Sequence, residues 1–552
     1  MRQIAINQIY GNLAKGSIQI SLKKVSTANA YSIYSGETKG YVIVSRYENC
    51  KPILGYSENT YDVNNLPDGF KWWLKEIERS LQYYEDYNIT PPSMSKMVAN
   101  YSAISSFITT MWGQSTPFND KCPKINNAAA PSGCVATAMS QIMRYYSYPN
   151  AGQGIGQYKI SGSSLTKMKS LTNTYDWKQM IDNYNFNKGD DTQREAVAVL
   201  MFDAGAAAQM SYAKDGSGAL SFNAAKAFVN NFQYDSIPLR FCDKMYYTDE
   251  EWNGFIYKEL TNRRPILYSA IDTISGGHAF VFDGMDNEGK VHVNWGWNSR
   301  CDGFYDIFDL SPKGLFSTSS TNHFTSVPDM IFGFRPQSTP DASDVDIPAL
   351  FADNDFFFKP TIYKDSIDIG IHGIFNANYR CFNGKVYLTI ENNEKATVDT
   401  TLFFDTTDPE EKLSPIKPIS TKGYNGIVFG NDSINHFNLK LIDTTPGTYK
   451  IAMIACPQGS SSFDYIRSST IGGPIIYNMV IADNGGISFT NKVPTSIQNI
   501  KSNNKNDSEI RVYDTSGRMI YKSAKANFRI SDIPDHGVMI LRQGTSVKKI
   551  IK

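Results

Sequence analysis

PSGCVATAMSQIMRYYSYPN, residues 131–150, places one cysteine at the head of a helical pattern. Val135, Ala138, Met139, Ile142, Met143 and Tyr146 recur at helical spacing, which predicts a helix that buries this face and ends near Pro149. Cys134 then stands at the helix N-terminus, with Ser132 or Gly133 as cap. Free backbone N–H groups and the helix dipole favour an anion there, so a thiolate at Cys134 is stabilised and more reactive near neutral pH. The same spacing also fits a small buried residue at a helix start.

A nucleophilic cysteine needs a base, and the chain has six histidines. His372, His436 and His536 fall in C-terminal β-rich sequence, and His323 falls in a polar loop. His278 and His292 share SGGHAFVFDGMDNEGKVHVNWGWNSRCDGFYDIFDLSP, residues 275–312. AFVFDG and KVHVNW read as paired strands joined by MDNEG. A turn centred near Asp286 sets His278 beside Asn294, whose amide can accept from the imidazole N–H and fix the ring. Trp295 can shield that bond from water, and Gly276 and Gly277 let a substrate approach closely. His292 alternates with Val291 and Val293 and reads as a strand histidine satisfied by packing or solvent. Trp297 reads as structural. Cys301, six residues after Trp295, is close enough in sequence to approach the site but reads as structural or solvent-exposed.

Composition narrows the classes. The chain has 552 residues, 41% hydrophobic and 20% charged, which suits three or four folded domains. Net charge is zero, so nothing favours nucleic acid. No CxxC and no Cys/His cluster occurs among the seven cysteines, so no metal site is expected, and the odd number leaves at least one thiol outside any intramolecular disulfide. No apolar run reaches the roughly 18–20 residues of a membrane-spanning helix. MRQIAINQIYGNLAKG at the start lacks the apolar core of a signal peptide, which leaves a cytosolic chain, an upstream start or a signal already removed.

Texture changes mark the domains. Residues 1–104 read as a small α/β unit, with a strand in YVIVSRYENCKPILGYS and an amphipathic helix through Trp73, Leu74, Ile77, Leu81 and Tyr84, followed by the linker ITPPSMSK. Residues 105–336 mix helices and strands, including a second helix in TQREAVAVLMFDAGAAAQM. FRPQSTPDASDVDIP marks the next boundary, and residues 348–490 carry short alternating strands suited to an all-β sandwich. A polar stretch precedes a last segment, residues 507–552.

GCVATAMSQIMRYYSYPN, GGHAFVFDGMD and HVNWGWNSRCDGFYDIFDLSP, in this order, resemble the streptopain family of papain-like cysteine peptidases. The likeness runs from about residue 20 to 336 and includes YVIVSRYENCKPILGYS, which resembles the family's inhibitory propeptide. It implies an α+β papain-like catalytic domain after a small α/β propeptide domain, in a secreted zymogen that cuts peptide bonds without metal or cofactor. The propeptide would be the enzyme's own inhibitor. By this resemblance Cys134 is the nucleophile, His278 the general base, and Asn294 and Trp295 belong to the NWGW element beside it. Gly277 would help hold substrate, as would Ser217 and Gly218 in KDGSGALS. The family's preference suggests a hydrophobic residue two positions before the cut. One departure stands out: papain-like enzymes often carry a glutamine about six residues before the cysteine to polarise the oxyanion, and that position is Ala128. Asn127 is the substitute that the sequence offers.

VYDTSGRMIY and ISDIPDHGVMILRQGTSVKKIIK resemble the small β-sandwich sorting domain of the type IX secretion system of Bacteroidetes. That implies partnership with the secretion machinery and a secreted or outer-membrane-attached protein, with no membrane span. Two rival readings stand beside the peptidase: a thiol acyltransferase using the same Cys and His, and an inactive surface adhesin presenting the sandwich.

Overall fold

The computed structural model describes residues 22–337, apart from 37–39, 49, 87–100, 237, 273–275 and 308–326, and beyond residue 349 the strands of the second unit and residues adjoining some of them. The expected linker ITPPSMSK, the boundary at 338–348, His323, His372, His536 and Cys381 lie outside the described residues. Two compact units emerge: residues 1–244 with 249–341, and residues 245–248 with 342–552.

One antiparallel sheet organises the first unit. Its strands are β1 (Leu22–Thr27), β2 (Tyr31–Gly36), β3 (Tyr41–Ser45), β4 (Ile53–Ser57), β10 (Arg240–Asp243), β11 (Ile266–Asp272), β12 (Gly276–Met285), β13 (Val291–Asn294), β14 (Gly303–Tyr305) and β15 (Val327–Phe332). They run in the order β1-β2-β3-β4-β14-β13-β12-β11-β15-β10. Short strands β5 (Lys124–Ile125) and β6 (Ala128–Ala129) form a hairpin, and β7 (Ile155–Ile160), β8 (Thr166–Ser170) and β9 (Ser211–Tyr212) a small sheet. The helices are α1 (Asp68–Asp86), α2 (Cys134–Tyr146), α3 (Asp191–Ala207), α4 (Ser221–Asn230) and α5 (Asp249–Thr261).

The sequence reading set a boundary between residues 104 and 105, yet strands from both sides build this one sheet. Tyr56 pairs with Phe304 and Gly55 with Tyr305, which joins β4 to β14. Tyr41 to Ser45 are all buried, so β3 does not show the one-sided burial its alternation suggests. Helix α1 explains one covered face: Phe70, Trp73, Ile77 and Leu81 are fully or almost fully buried beneath it. Burial of such side chains is worth roughly 1.5–3 kcal/mol each and is what holds an amphipathic helix in place.

Helix α3 starts with a capping box, in which Asp190 accepts from the Gln193 backbone N–H and the Gln193 side chain accepts in return. It packs on α2, whose residues Val135 to Met143 are all buried. That burial includes Thr137, Ser140 and Gln141, so α2 is a central helix and not the one-faced helix its apolar spacing predicts.

In the second unit, strands 350–352, 374–376, 467–468 and 473–474 form one sheet, and strands 384–392, 397–405, 447–457, 476–481 and 487–490 another. Leu350 and Ile374 of the first share a core with Val386, Ile451 and Met479 of the second. Residues 510–514, 519–523, 538–543 and 546–551 make a four-stranded antiparallel sheet of their own.

Candidate active site

Helix α2 begins abruptly at Cys134. Gly133 has φ 89°, and a Cβ there would meet Met210 Cε at 2.7 Å and the Ser217 carbonyl oxygen at 2.9 Å. Glycine therefore meets both the backbone and the space requirement, and Ser217 is brought against the head of the helix. Gly218 is held in the same loop by two backbone hydrogen bonds with Ser211, of 2.9 and 3.1 Å. No side chain caps α2, so its first N–H groups face the cysteine region.

Cys134 is half-buried, with Sγ 3.9 Å from the Gly277 carbonyl oxygen. The backbone N–H groups of Ala279, Val135 and Cys134 itself also address the sulfur. The thiol thus rests against the peptide groups on either side of His278. Desolvation pushes the thiol pKa up, those N–H groups pull it down, and the carboxylate of Asp68 pushes it up again. Asp68 opens α1, so the N-terminal region contributes a charge that opposes the thiolate.

The same helix covers the floor beside His278. A Cβ on Gly69 would come within 2.9 Å of the Trp295 ring and 3.3 Å of Phe280. Phe70 meets Trp295 edge-on at 5.8 Å between ring centroids. Polar bonds extend the contact: Ser57 Oγ donates to the Asp302 carbonyl at 2.6 Å, Asn59 Nδ2 to the Ser299 carbonyl at 2.8 Å, and Trp73 Nε1 to the Asp306 carbonyl at 2.8 Å.

The hairpin carrying His278 forms as expected, but its register differs. Val281, not His278, pairs with Asn294, and the ladder shifts at Asp283 between Phe282 and Gly284. Asn294 is buried, and its amide is engaged elsewhere. Its Oδ1 accepts from Gln141 Nε2 at 3.1 Å and from the Gly296 N–H at 3.0 Å, while Nδ2 donates to the Thr110 carbonyl at 3.0 Å. The expected His278–Asn294 bond is thus replaced by a link to α2. Trp295 is likewise not a shield for such a bond. It packs on Phe280 at 4.8 Å and donates from Nε1 to the Cys301 carbonyl at 2.9 Å.

Asp283, the residue at the bulge, explains His292. Its Oδ1 meets His292 Nδ1 at 2.5 Å, and its Oδ2 accepts the N–H groups of Phe107 and Ile108 at 3.0 and 2.8 Å. Burial opposes a charged ring at His292, but the Asp283 carboxylate outweighs it and raises the pKa above 6.5. A raised folded-state pKa adds stability that is fully present below the unfolded value and fades as pH rises through the folded one. Asp302, pushed up to about 7 by burial, works in the same direction. Replacing the ring in His292→Leu is expected to cost about 3 kcal/mol at pH 6 and clearly less at pH 9, read as the difference in Tm between wild type and variant at each pH.

Cys301 is buried and its thiol is pushed up to about 12 by burial, which fits a structural role. Ala128 and Asn127 sit at the β5–β6 hairpin. Asn126 and Asn127 both have positive φ, 51° and 67°, as a two-residue hairpin turn requires. This gives Asn127 a conformational role in the turn. A glutamine lies near the helix head through its backbone, and from further upstream. Gln114 accepts the Ser132 N–H at 3.0 Å through its carbonyl, beside the start of α2, and is half-buried. The β5–β6 hairpin lies between Gln114 and Cys134, so Gln114 falls outside the six-residue spacing. Among the described residues, no group of three His, Cys, Asp or Glu side chains is placed to hold a metal ion.

The sequence model of the Peptidase C10 family matches residues 112–305, and that of the Spi protease inhibitor matches residues 5–81. Streptopain of Streptococcus pyogenes is 29% identical over 350 residues, covering 58% of this chain and 86% of that protein. The thiol protease/hemagglutinin PrtT of Porphyromonas gingivalis is 30% identical over 319 residues, covering 55% of this chain. The chain spans 36% of the length of that relative. The solved structure of a mutant fragment of Prevotella intermedia prointerpain A is 32% identical, with a TM-score of 0.51, over 57% of this chain and 98% of that one.

Proposed function

Because the chain belongs to the Peptidase C10 family, we propose that it is a cysteine endopeptidase made as a zymogen, with Cys134 as nucleophile and His278 as general base. The observation that carries this reading is the thiol of Cys134 lodged between Gly277 and Ala279, the neighbours of His278, at an uncapped helix N-terminus. The thiolate attacks the scissile carbonyl, and His278 gives its proton to the leaving amine. Water then hydrolyses the thioester with His278 as base. The N–H of Cys134 stabilises the oxyanion, and the Gln114 amide is the second donor. Ser217, Gly218 and Gly277 line the substrate side, and a hydrophobic residue is preferred two positions before the cut.

Gln114→Ala is expected to lower kcat about 100-fold or more with KM little changed, since such a donor acts only on the developing charge. Steady-state kinetics on a fluorogenic peptide check this. The whole reading is tested by supplying the matured chain with that peptide and an excess of amine. Hydrolysis faster than amine incorporation supports the peptidase, and the reverse favours an acyltransferase.

The N-terminal region acts as the inhibitor of its own enzyme, through α1 over Trp295 and through the β4–β14 join. Residues 348–490 form the all-β sandwich, supported by two sheets with one core, and residues 507–552 the sorting domain. On this reading the type IX machinery exports the protein, which is then secreted or held at the outer membrane. Expression with residues 507–552 deleted tests that step, because the protein should then fail to reach the medium or the cell surface.

A further inference from the structure

One side chain of the nucleophile helix does something that packing alone would not need. Gln141 is fully buried on α2, two turns beyond Cys134 and about 10 Å along the helix axis. A buried amide is costly unless its polar atoms are paired, and an apolar residue would fill the same space without that demand. Gln141 meets the demand in one closed ring. Thr110 Oγ1 donates to Gln141 Oε1 at 2.9 Å, Gln141 Nε2 donates to Asn294 Oδ1 at 3.1 Å, and Asn294 Nδ2 donates to the Thr110 carbonyl at 3.0 Å. The Gly296 N–H adds a fourth bond to Asn294 Oδ1, at 3.0 Å.

The ring ties three stretches of chain that meet nowhere in sequence: α2, the segment around Thr110, and the end of β13. Trp295 follows Asn294 and packs on Phe280, two residues from His278 and on the same side of β12. Hydrogen bonds fix direction as well as distance, which apolar contacts do not. A helix free to slide or turn slightly would carry the Cys134 sulfur away from His278, and a misplacement of about 1 Å can cost about 100-fold in rate.

We propose that Gln141 is a positioning residue for the cysteine chemistry, acting through Asn294 and Thr110 to hold the nucleophile helix in register with the strand that bears the base. This rests on the peptidase reading above. Asn294 then serves the site from beneath, by bracing α2, and not by bonding to His278.

The full chain carrying Gln141→Met, Gln141→Glu or Thr110→Val is matured by a trace of tagged wild-type enzyme that is then removed. Three quantities are read: kcat, KM, and the rate of Cys134 alkylation by iodoacetamide. Gln141→Met should lower kcat about 30- to 100-fold with KM within twofold, and slow alkylation. Thr110→Val keeps the backbone carbonyl that Asn294 uses and should cost about 3- to 10-fold in kcat. Gln141→Glu supplies the pH signature. Protonated, the new carboxyl can donate to Asn294 and accept from Thr110, whereas ionised it faces the Asn294 oxygen. Its kcat relative to wild type should therefore rise about tenfold or more from pH 8 to pH 5.

Folded variants with kcat and alkylation rates within twofold of wild type overturn the proposal. A loss of kcat that only follows a loss of folded protein, with no recovery of Gln141→Glu at low pH, also overturns it. A wild-type chain that cuts no peptide sinks the peptidase reading instead, and the alkylation rates, which need no substrate, still decide the role of the ring.

Discussion

Cys134→Ala should abolish peptide hydrolysis, by about 10⁴-fold or more, and leave the full-length chain uncut. The sulfur is the group that the local structure is arranged around: three backbone N–H groups address it, and the peptides flanking His278 border it. On the proposed mechanism, its loss leaves His278 no nucleophile to activate and the N–H groups no tetrahedral oxyanion to stabilise. The fold should survive, since Cys134 is half-buried and alanine fits a first helical position without new contacts. Fluorogenic-peptide hydrolysis and the gel mobility of the precursor check both parts. Ordinary digestion of casein by this variant would remove Cys134 from the mechanism.

The second large effect concerns the N-terminal inhibitor. Gly55→Val should make the precursor mature itself, and become open to thiol probes, roughly 5- to 150-fold faster than wild type. Gly55 pairs with Tyr305 where β4 joins β14, and a Cβ at Gly55 would stand 2.4 Å from the Tyr305 ring and 3.1 Å from the Phe304 carbonyl. Tyr305 cannot yield: it is fully buried among Phe70, Trp73 and Trp295, with ring centroids 5.5, 4.9 and 5.5 Å away. Overpacking of this kind costs about 1–3 kcal/mol, a factor of roughly 5 to 150 in the docked population. Time courses of precursor conversion measure it. An unchanged rate would show that the β4–β14 join does not restrain the enzyme. The mature enzyme is spared, because the substituted residue leaves with the inhibitor.

Parts of this site were legible in the sequence, for reasons that can be named. The helix after Cys134 declared itself through Val135, Ala138, Met139, Ile142 and Met143, and the His278 hairpin through its alternating strands and the turn after Met285. Gly133, one of the two candidate caps, is the N-cap residue, and Met210 and Ser217 lie close against it.

What stayed hidden depends on long-range pairing. The register of His278 against Asn294 moved because the turn lies later than its residues suggest and because Asp283 bulges to reach His292, Phe107 and Ile108. No local pattern encodes that bulge. Gln141 looks like the polar face of an amphipathic helix until α3 and the sheet close over it. β14 is three residues long, too short to announce that a strand from the N-terminal region would extend the sheet there.

The central claim is that Cys134 is a thiol activated beside His278 and masked by the N-terminal region. The direct measurement is mass spectrometry of the purified chain after incubation with a thiol-directed peptidyl epoxide, before and after maturation. The account predicts one adduct, on Cys134, forming fast after maturation and slowly in the precursor, where burial and Asp68 both hold the thiol pKa up. Peptide hydrolysis by a matured chain with no adduct on Cys134, or equally fast labelling of Cys134 in both forms, would contradict it.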